Sequence, residues 1–259
     1  MYGPPGLADN IEGLIRGVHW DRIGDQGPCF EVSELHDDRL IRFRLQAGRG
    51  HGDCLGEEAA MNGKMLDEPG FVVRAVTLDH GTPVLAYAFE PAVTISIRKE
   101  SLAARGWQSG PWLGEFKRQL LAADRSTVIV LPDGTTGRAD RLAEEFTRER
   151  TGRKLVYATD LADTPDNRSR LMQLARGCHT FFCEAAFAAA DAHHAQRTGH
   201  LTTRACGEIA RAADVRQLVP FHFSRRYDGQ IGRLYSEIAA VCTRVVIPKP
   251  LQEREYETD

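Results

Sequence analysis

Apolar residues recur at helical spacing at Leu7, Ile11, Leu14, Ile15 and Val18, directly after the turn signal Gly3-Pro4-Pro5-Gly6. This predicts an opening turn that leads into an amphipathic helix. Short strand patterns follow at about 29–35, 39–45, 71–79, 83–89 and 93–98, with the Gly-rich stretch Gly48 to Gly56 read as a loop between the second and third. The first hundred residues are therefore mostly sheet. In the later half the pattern changes to strands that alternate with helices. Lys154 to Thr159 reads as a strand, and Thr164-Pro165 as a helix start with proline at the first position, its buried stripe formed by Leu171, Leu174 and Ala175. Thr180 to Cys183 and Leu218 to Phe221 read as further strands. A helix capped by Thr202 carries Ala205, Ile209 and Ala213, another carries Leu234, Ile238, Val241 and Cys242, and a last strand is expected at Val245 to Ile247. Alternating β and α elements predict a layered α/β fold.

Composition narrows the class. The 259 residues carry a formal charge of −3, with 42% hydrophobic and 27% charged residues, which is ordinary for a globular chain large enough to fold without disulfides or a structural metal. Six cysteines at 29, 54, 178, 183, 206 and 242 form no C-x-x-C pair, so they are read as reduced thiols of a cytoplasmic protein. No run of about 18 apolar residues occurs, and the N-terminus lacks the basic and apolar regions of a secretory signal, so no membrane partner is expected. The segment 98–153 holds 11 basic and 8 acidic residues, which makes it +3 while the remainder is −6. That asymmetry suggests a polyanion-facing insertion, although on charge alone a solvated charged helix from Arg138 to Arg150 is the plainer and preferred explanation. The tail from Gln252 to Asp259 reads as charged and frayed.

In open α/β folds, polar residues at the C-terminal ends of strands gather at one crevice. His80 follows the strand Phe71 to Asp79, Asp160 follows Lys154 to Thr159, and His222 follows Leu218 to Phe221. Imidazole and carboxylate together are a common zinc or manganese ligand set. Two more polar residues interrupt apolar surroundings: Glu184, between Cys183 and Ala185, and His200, just before a helix. A glutamate that orients a histidine beside a metal supplies a proton donor for a leaving group, whereas a buried carboxylate holding a structural histidine is the alternative.

Seven pieces occur in order along the chain: Tyr2-Gly-Pro-Pro-Gly6; Val76-Thr-Leu-Asp-His-Gly81 through Ala86-Tyr87 and Glu90; Gly110-Pro111 followed by Lys117; Tyr157 to Asp160; Cys183-Glu-Ala-Ala-Phe187; Gly199-His-Leu-Thr-Thr203; and Phe221-His-Phe-Ser-Arg-Arg-Tyr227. The ordered set resembles ribonuclease Z, within the metallo-β-lactamase superfamily. The resemblance implies an αββα sandwich of two sheets spanning 1–259, a two-zinc site on its edge, and endonucleolytic cleavage at the 3′ end of precursor tRNA. It implies His80 as ligand of one zinc, Asp160 as the bridging carboxylate and His222 as ligand of the other. It also implies that His200 and Glu184 assist proton transfer, that 98–153 is an RNA-binding arm, and that the protein is a homodimer. Metals in such a site lower the pKa of a bound water and offset charge on the phosphodiester.

The same resemblance sets out departures. The family's H-x-H-x-D-H motif lies upstream of the Tyr-Gly-Pro turn and does not occur in this chain; His51-Gly-Asp-Cys54 is read as loop. The sandwich is accordingly expected to be N-terminally truncated, with an uncovered hydrophobic face. Activity is expected to be impaired, because His80, Asp160 and His222 alone give each of two metals about two protein ligands where three or four are usual. Cys183, Ala186, Leu201 and Ala158-Thr159 also differ from the family's residues. A non-catalytic RNA-binding or structural remnant is the alternative function, and a hydrolase of a small ester or lactam is a third.

Overall fold

The computed structural model describes residues 1–22, 26–49, 51–121 and 125–248. The tail expected from Gln252 lies outside the described residues. The chain divides into two units, Met1–Glu90 with Arg153 onward, and Pro91–Gly152.

In the first unit, β1 (Tyr2–Gly3), β2 (Cys29–His36), β3 (Arg39–Gln46) and β4 (Asp53–Ala59) form a four-stranded sheet in chain order. β1 runs parallel to β2, and the other pairs are antiparallel. Helix α1 (Leu7–Arg16) follows the Gly-Pro turn as expected, and Ala8 and Ile15, with Leu7 and Ile11 beside them, pack on Val32, Leu45 and Ala47 of this sheet; Leu14 and Val18 of the expected stripe are exposed, and Val18 lies past the helix end. The Gly-rich stretch read as a loop contains β4. All seven β4 residues are exposed, so the strand has no apolar alternation to reveal it. It is held as an edge by backbone pairing to β3 and by the ion pairs Arg39–Glu57 and Arg42–Glu58.

The second sheet has six strands in the order β14-β13-β12-β7-β6-β5. These are β5 (Lys64–Glu68), β6 (Phe71–Asp79), β7 (Pro83–Pro91), β12 (Leu155–Ala158), β13 (Thr180–Glu184) and β14 (Gln217–Phe221). β12, β13 and β14 are parallel, which places their C-terminal ends side by side. Alternation assigns the faces. Ala86, Ala88, Val156, Ala158, Phe181 and Cys183 pack against α5 (Pro165–Ala175), α7 (Thr203–Ala212) and α8 (Ile231–Ala239) in the largest core. On the opposite face, Leu35 and Leu40 of the first sheet meet Met65, Ala75 and Leu85 of the second. Helix, sheet, sheet and helix therefore stack as four layers, the αββα sandwich expected. Phe89 and Tyr157, on the face away from the helices, are 40% and 41% exposed. The strand expected at Val245 to Ile247 is a single bridge, Val245 to Leu218. All six cysteines are free thiols, and no helix among the described residues is long and apolar enough to cross a membrane.

The second unit holds β8 (Thr94–Ile97), α2 (Lys99–Ala104), α3 (Pro111–Leu121), β9 (Val128–Val130), β10 (Thr136–Arg138), α4 (Ala139–Phe146) and β11 (Thr147–Arg150). Its own core joins Leu102, Phe116, Leu120, Ile129, Leu142 and Phe146, with Trp107 and Trp112 against it. The single charged helix read over Arg138 to Arg150 is two elements. Helix α4 stops where Thr147 turns extended (φ −125, ψ 158), and β11 pairs antiparallel with β8, fifty residues earlier in the chain. Non-local pairing overrides the helical charge pattern there. Arg105, Arg118, Arg125, Arg138, Arg141 and Arg148 are each paired with a carboxylate of the same unit.

β7 and β12 are antiparallel neighbours with Phe89 opposite Leu155, and Lys154 Nζ lies 3.0 Å from Glu90 Oε1. The two ends of the second unit thus leave the sheet next to each other. Replacing Pro91–Gly152 by a short Gly-containing turn should leave the first unit cooperatively folded, with Tm lowered by no more than about 5 °C. Circular dichroism melting checks this, and loss of a cooperative transition would contradict it.

Candidate metal centre

Parallel register brings the polar strand ends together. Ala158 is opposite Cys183, Cys183 opposite Pro220, and Glu184 opposite Phe221, so Asp160, Glu184 and His222 emerge at one edge of three adjoining strands. Asp160 and His222 both adopt left-handed backbone, with φ of 54° and 61°. Such φ values are uncommon for non-glycine residues and cluster at functional sites. The His222 Nε2 and Asp160 Oδ1 atoms are 3.2 Å apart.

Glu184 is fully buried. Its Oε1 accepts the backbone N–H of Leu161 at 3.0 Å and of Leu201 at 3.3 Å, and its Oε2 faces His200 Nδ1 at 2.7 Å. One carboxylate therefore ties the loop after β12 to the segment that precedes α7. Burial pushes the Glu184 carboxyl above the ordinary range, while the bonds from Leu161, His200 and Leu201 act in the other direction. With its acceptors engaged, Glu184 serves as an orienter. It fixes the His200 tautomer with Nδ1 as donor and leaves Nε2 available.

His80 enters from β6. Its Nδ1 meets the carbonyl of Gly199 at 2.7 Å, which leaves Nε2 available, and its ring centroid lies 4.8 Å from that of His200. Glycine suits that spot, because Gly199 sits at φ 72° and a Cβ on it would lie 3.0 Å from His80 Nδ1 and press on the ring. Asn167, in the first turn of α5, was not singled out by sequence. Its Oδ1 accepts the Asp79 N–H at 2.9 Å and its Nδ2 donates to Asp79 O at 2.8 Å and to Ala162 O at 2.8 Å, so a buried side-chain amide fixes the backbone just before His80. The only prior signal is its place beyond the Thr164-Pro165 start, where Thr164 Oγ1 accepts the Asn167 N–H at 3.1 Å.

The ligand-capable atoms of Asp160, Glu184, His200 and His222 all lie within 4.8 Å of one another. His80 is outside that tight group and joins it through its ring contact with His200. Because Glu184 is occupied, the atoms left are the Asp160 carboxylate and imidazole nitrogens of His222, His200 and His80. That nitrogen and oxygen set fits a divalent cation of the zinc or manganese kind. His51 is not part of the site: it is exposed, lies 3.7 Å from Glu12, and precedes β4.

No family model matches the chain. Ribonuclease Z of Deinococcus radiodurans is 28% identical over 228 residues, covering 88% of this chain and 67% of that protein. Ribonuclease BN of Cronobacter sakazakii is 30% identical over 246 residues, covering 93% of this chain and 66% of that protein. Ribonuclease Z of Brevibacillus brevis is 27% identical over 234 residues, covering 90% and 60%. Among curated relatives it matches, the chain spans from 48% to 67% of their length. Solved structures similar to it include human tRNase Z, short form, at 16% identity and TM-score 0.42, covering 88% of this chain and 61% of that one. The metallo-beta-lactamase fold protein YhfI of Bacillus subtilis has 14% identity and TM-score 0.40, covering 70% and 47%.

Glu184→Ala strands two buried backbone N–H groups and the His200 donor. It should cost about 2–5 kcal/mol of stability in urea unfolding. Glu184→Gln, which keeps an acceptor oxygen in place, should cost less. A loss under about 1 kcal/mol for the alanine variant would show that the carboxylate does not hold the segments together.

Proposed function

Because the chain is a ribonuclease Z-like protein of the metallo-β-lactamase superfamily, we propose that it is a metal-dependent phosphodiester hydrolase that cuts precursor tRNA, or another RNA, at its 3′ end. The observation that carries this reading is the convergence of Asp160 and His222 at 3.2 Å beside a histidine oriented by a buried glutamate. The proposal includes zinc as the cation, a cytoplasmic setting and a homodimer. Asp160, His222 and His80 would hold the metal, Asp160 from the central position. The bound cation would supply an acidified water and offset phosphate charge.

The chain's own residues then divide the work. His200 carries a proton at Nε2 to the leaving oxygen. Glu184 keeps its Nδ1 in the donor form and stabilises the ring when it is charged, as a buried carboxylate behind a catalytic imidazole does. Only 17% of the His200 side chain is exposed, so the donor is shielded while Asp160 and His222, each about two-fifths exposed, stay open to substrate. A second reading, a non-catalytic RNA-binding or structural remnant, draws on the donor count: three expected ligands for two metals fall short of the usual three or more each.

Asp160→Ala should remove stoichiometric zinc from the purified chain and abolish cleavage of precursor tRNA, measured by metal analysis and gel assay. His200→Ala should slow cleavage by about 10²–10⁴ with zinc content unchanged. Zinc loss in the His200 variant would make it a ligand. Salt-sensitive RNA binding without cleavage by the unaltered chain would favour the remnant.

A further inference from the structure

Beside the metal centre lies a group of basic side chains that the proposed chemistry does not use. Helix α6 (Ala192–Thr198) carries His194 and Arg197, and the turn Arg225–Tyr227 carries Arg226. Arg197 Nη2 lies 3.0 Å from His194 Nδ1, and Arg226 Nη2 lies 3.3 Å from His194 Nε2. Both ring nitrogens of one imidazole thus face guanidinium donors. A neutral imidazole has a single lone pair, so one of these contacts sets N–H against N–H, and a charged imidazole would make both unfavourable. The arrangement is therefore short of one acceptor. An anion placed among the three side chains supplies it, accepting from both guanidiniums and from the imidazole N–H.

The position is tied to the centre through one ring. Phe187 has His194 at its edge with centroids 5.0 Å apart, His200 at 6.0 Å, and the Arg226 guanidinium over its face at 5.4 Å. The backbone there is fixed. Tyr227 donates its hydroxyl to Asp191 and accepts the Ala188 N–H at 3.0 Å, and Glu237 Oε2 accepts from Ala189 N at 3.0 Å and from Thr203 Oγ1 at 2.7 Å. Asp191 accepts from Tyr227 through Oδ2, and its Oδ1 lies 3.8 Å from Arg226 Nη1, too far for a hydrogen bond, so the Arg226 donors are not taken up by it. The groups that face His194 are Arg226, Arg197, Asp191 and His193; burial, then Arg226 and Arg197, hold its imidazole below the ordinary histidine value.

We infer that Arg197, His194 and Arg226 form a clamp for a phosphate of the RNA strand next to the one that is cleaved. The inference rests on the reading of the centre as a phosphodiester hydrolase and names what that centre selects: a strand carrying successive phosphates, in preference to a small ester with one reacting group. Guanidiniums supply forked donors to phosphate oxygens, and the imidazole N–H completes the set.

The test is a histidine-ring NMR titration of the full chain with inorganic phosphate at constant ionic strength, His194 being assigned through His194→Gln. Phosphate should shift the His194 resonance saturably and raise its titration midpoint, because the anion offsets the two guanidiniums. In the double variant Arg197→Gln/Arg226→Gln the midpoint should already be raised without phosphate, and the phosphate response should be lost. No saturable response in the unaltered chain, or an undiminished one in the double variant, overturns the clamp. In a second arm, a single-stranded oligoribonucleotide should displace phosphate from His194 at least tenfold more effectively than the same oligomer with uncharged methylphosphonate links; equal displacement overturns the assignment to a strand phosphate. Cleavage of precursor tRNA is scored separately. A phosphate response without cleavage keeps the clamp and defeats the hydrolase reading, and cleavage without the response does the reverse.

Discussion

The site depends on one buried negative charge. Removing the Glu184 carboxylate from water is costly, and three donors from two other chain segments offset that cost. Leu161 lies just past Asp160, while Leu201 directly follows His200. Satisfying the carboxylate therefore brings the segment with the candidate bridging ligand to the segment with the candidate proton donor. The parallel register of β12, β13 and β14 does the rest by delivering Asp160, Glu184 and His222 to one edge. The clustering of these candidate site residues is thus a by-product of hydrogen bonding that folding needs.

Much of the fold can be read in the pattern of the chain because its elements announce themselves locally. Helix α5 begins where Thr164-Pro165 marks a cap, α7 where Thr202 accepts from Ala205 N, and the strands that carry His80, Asp160 and His222 are short apolar runs ended by polar residues. What the pattern hides is non-local. β4 shows no alternation because it is exposed on both faces, and β11 is a strand only because β8 pairs with it. The same divide runs through the site. Polar residues at strand ends are visible in the order of residues, but which of them meet is set by register between strands far apart in the chain. Asn167 illustrates the hidden part: nothing near it in sequence shows that its amide will serve both backbone groups of Asp79, 88 residues away.

The second unit shows how the same composition can serve two ends. Trp107 packs tilted against Phe146 at 5.2 Å and Trp112 packs edge-on to Trp107 at 5.9 Å, so the tryptophans of this basic segment cover the edge of its core. Arg105 binds both oxygens of Glu145 at 3.0 Å and covers the Trp107 ring. A guanidinium over an aromatic face is attracted to the ring while its charge stays partly solvated. A positive surplus in such a unit is compatible with a polyanion, yet many of its charges first satisfy one another.

The left-handed backbone at Asp160 and His222 sets a small conformational cost at the ends of two strands. Glycine adopts that conformation freely, whereas a residue with a side chain pays about 1 kcal/mol to do so. Glycine at either position would relieve that cost and remove a ligand-capable atom, so the backbone and the side chain pull in opposite directions at these two strand ends.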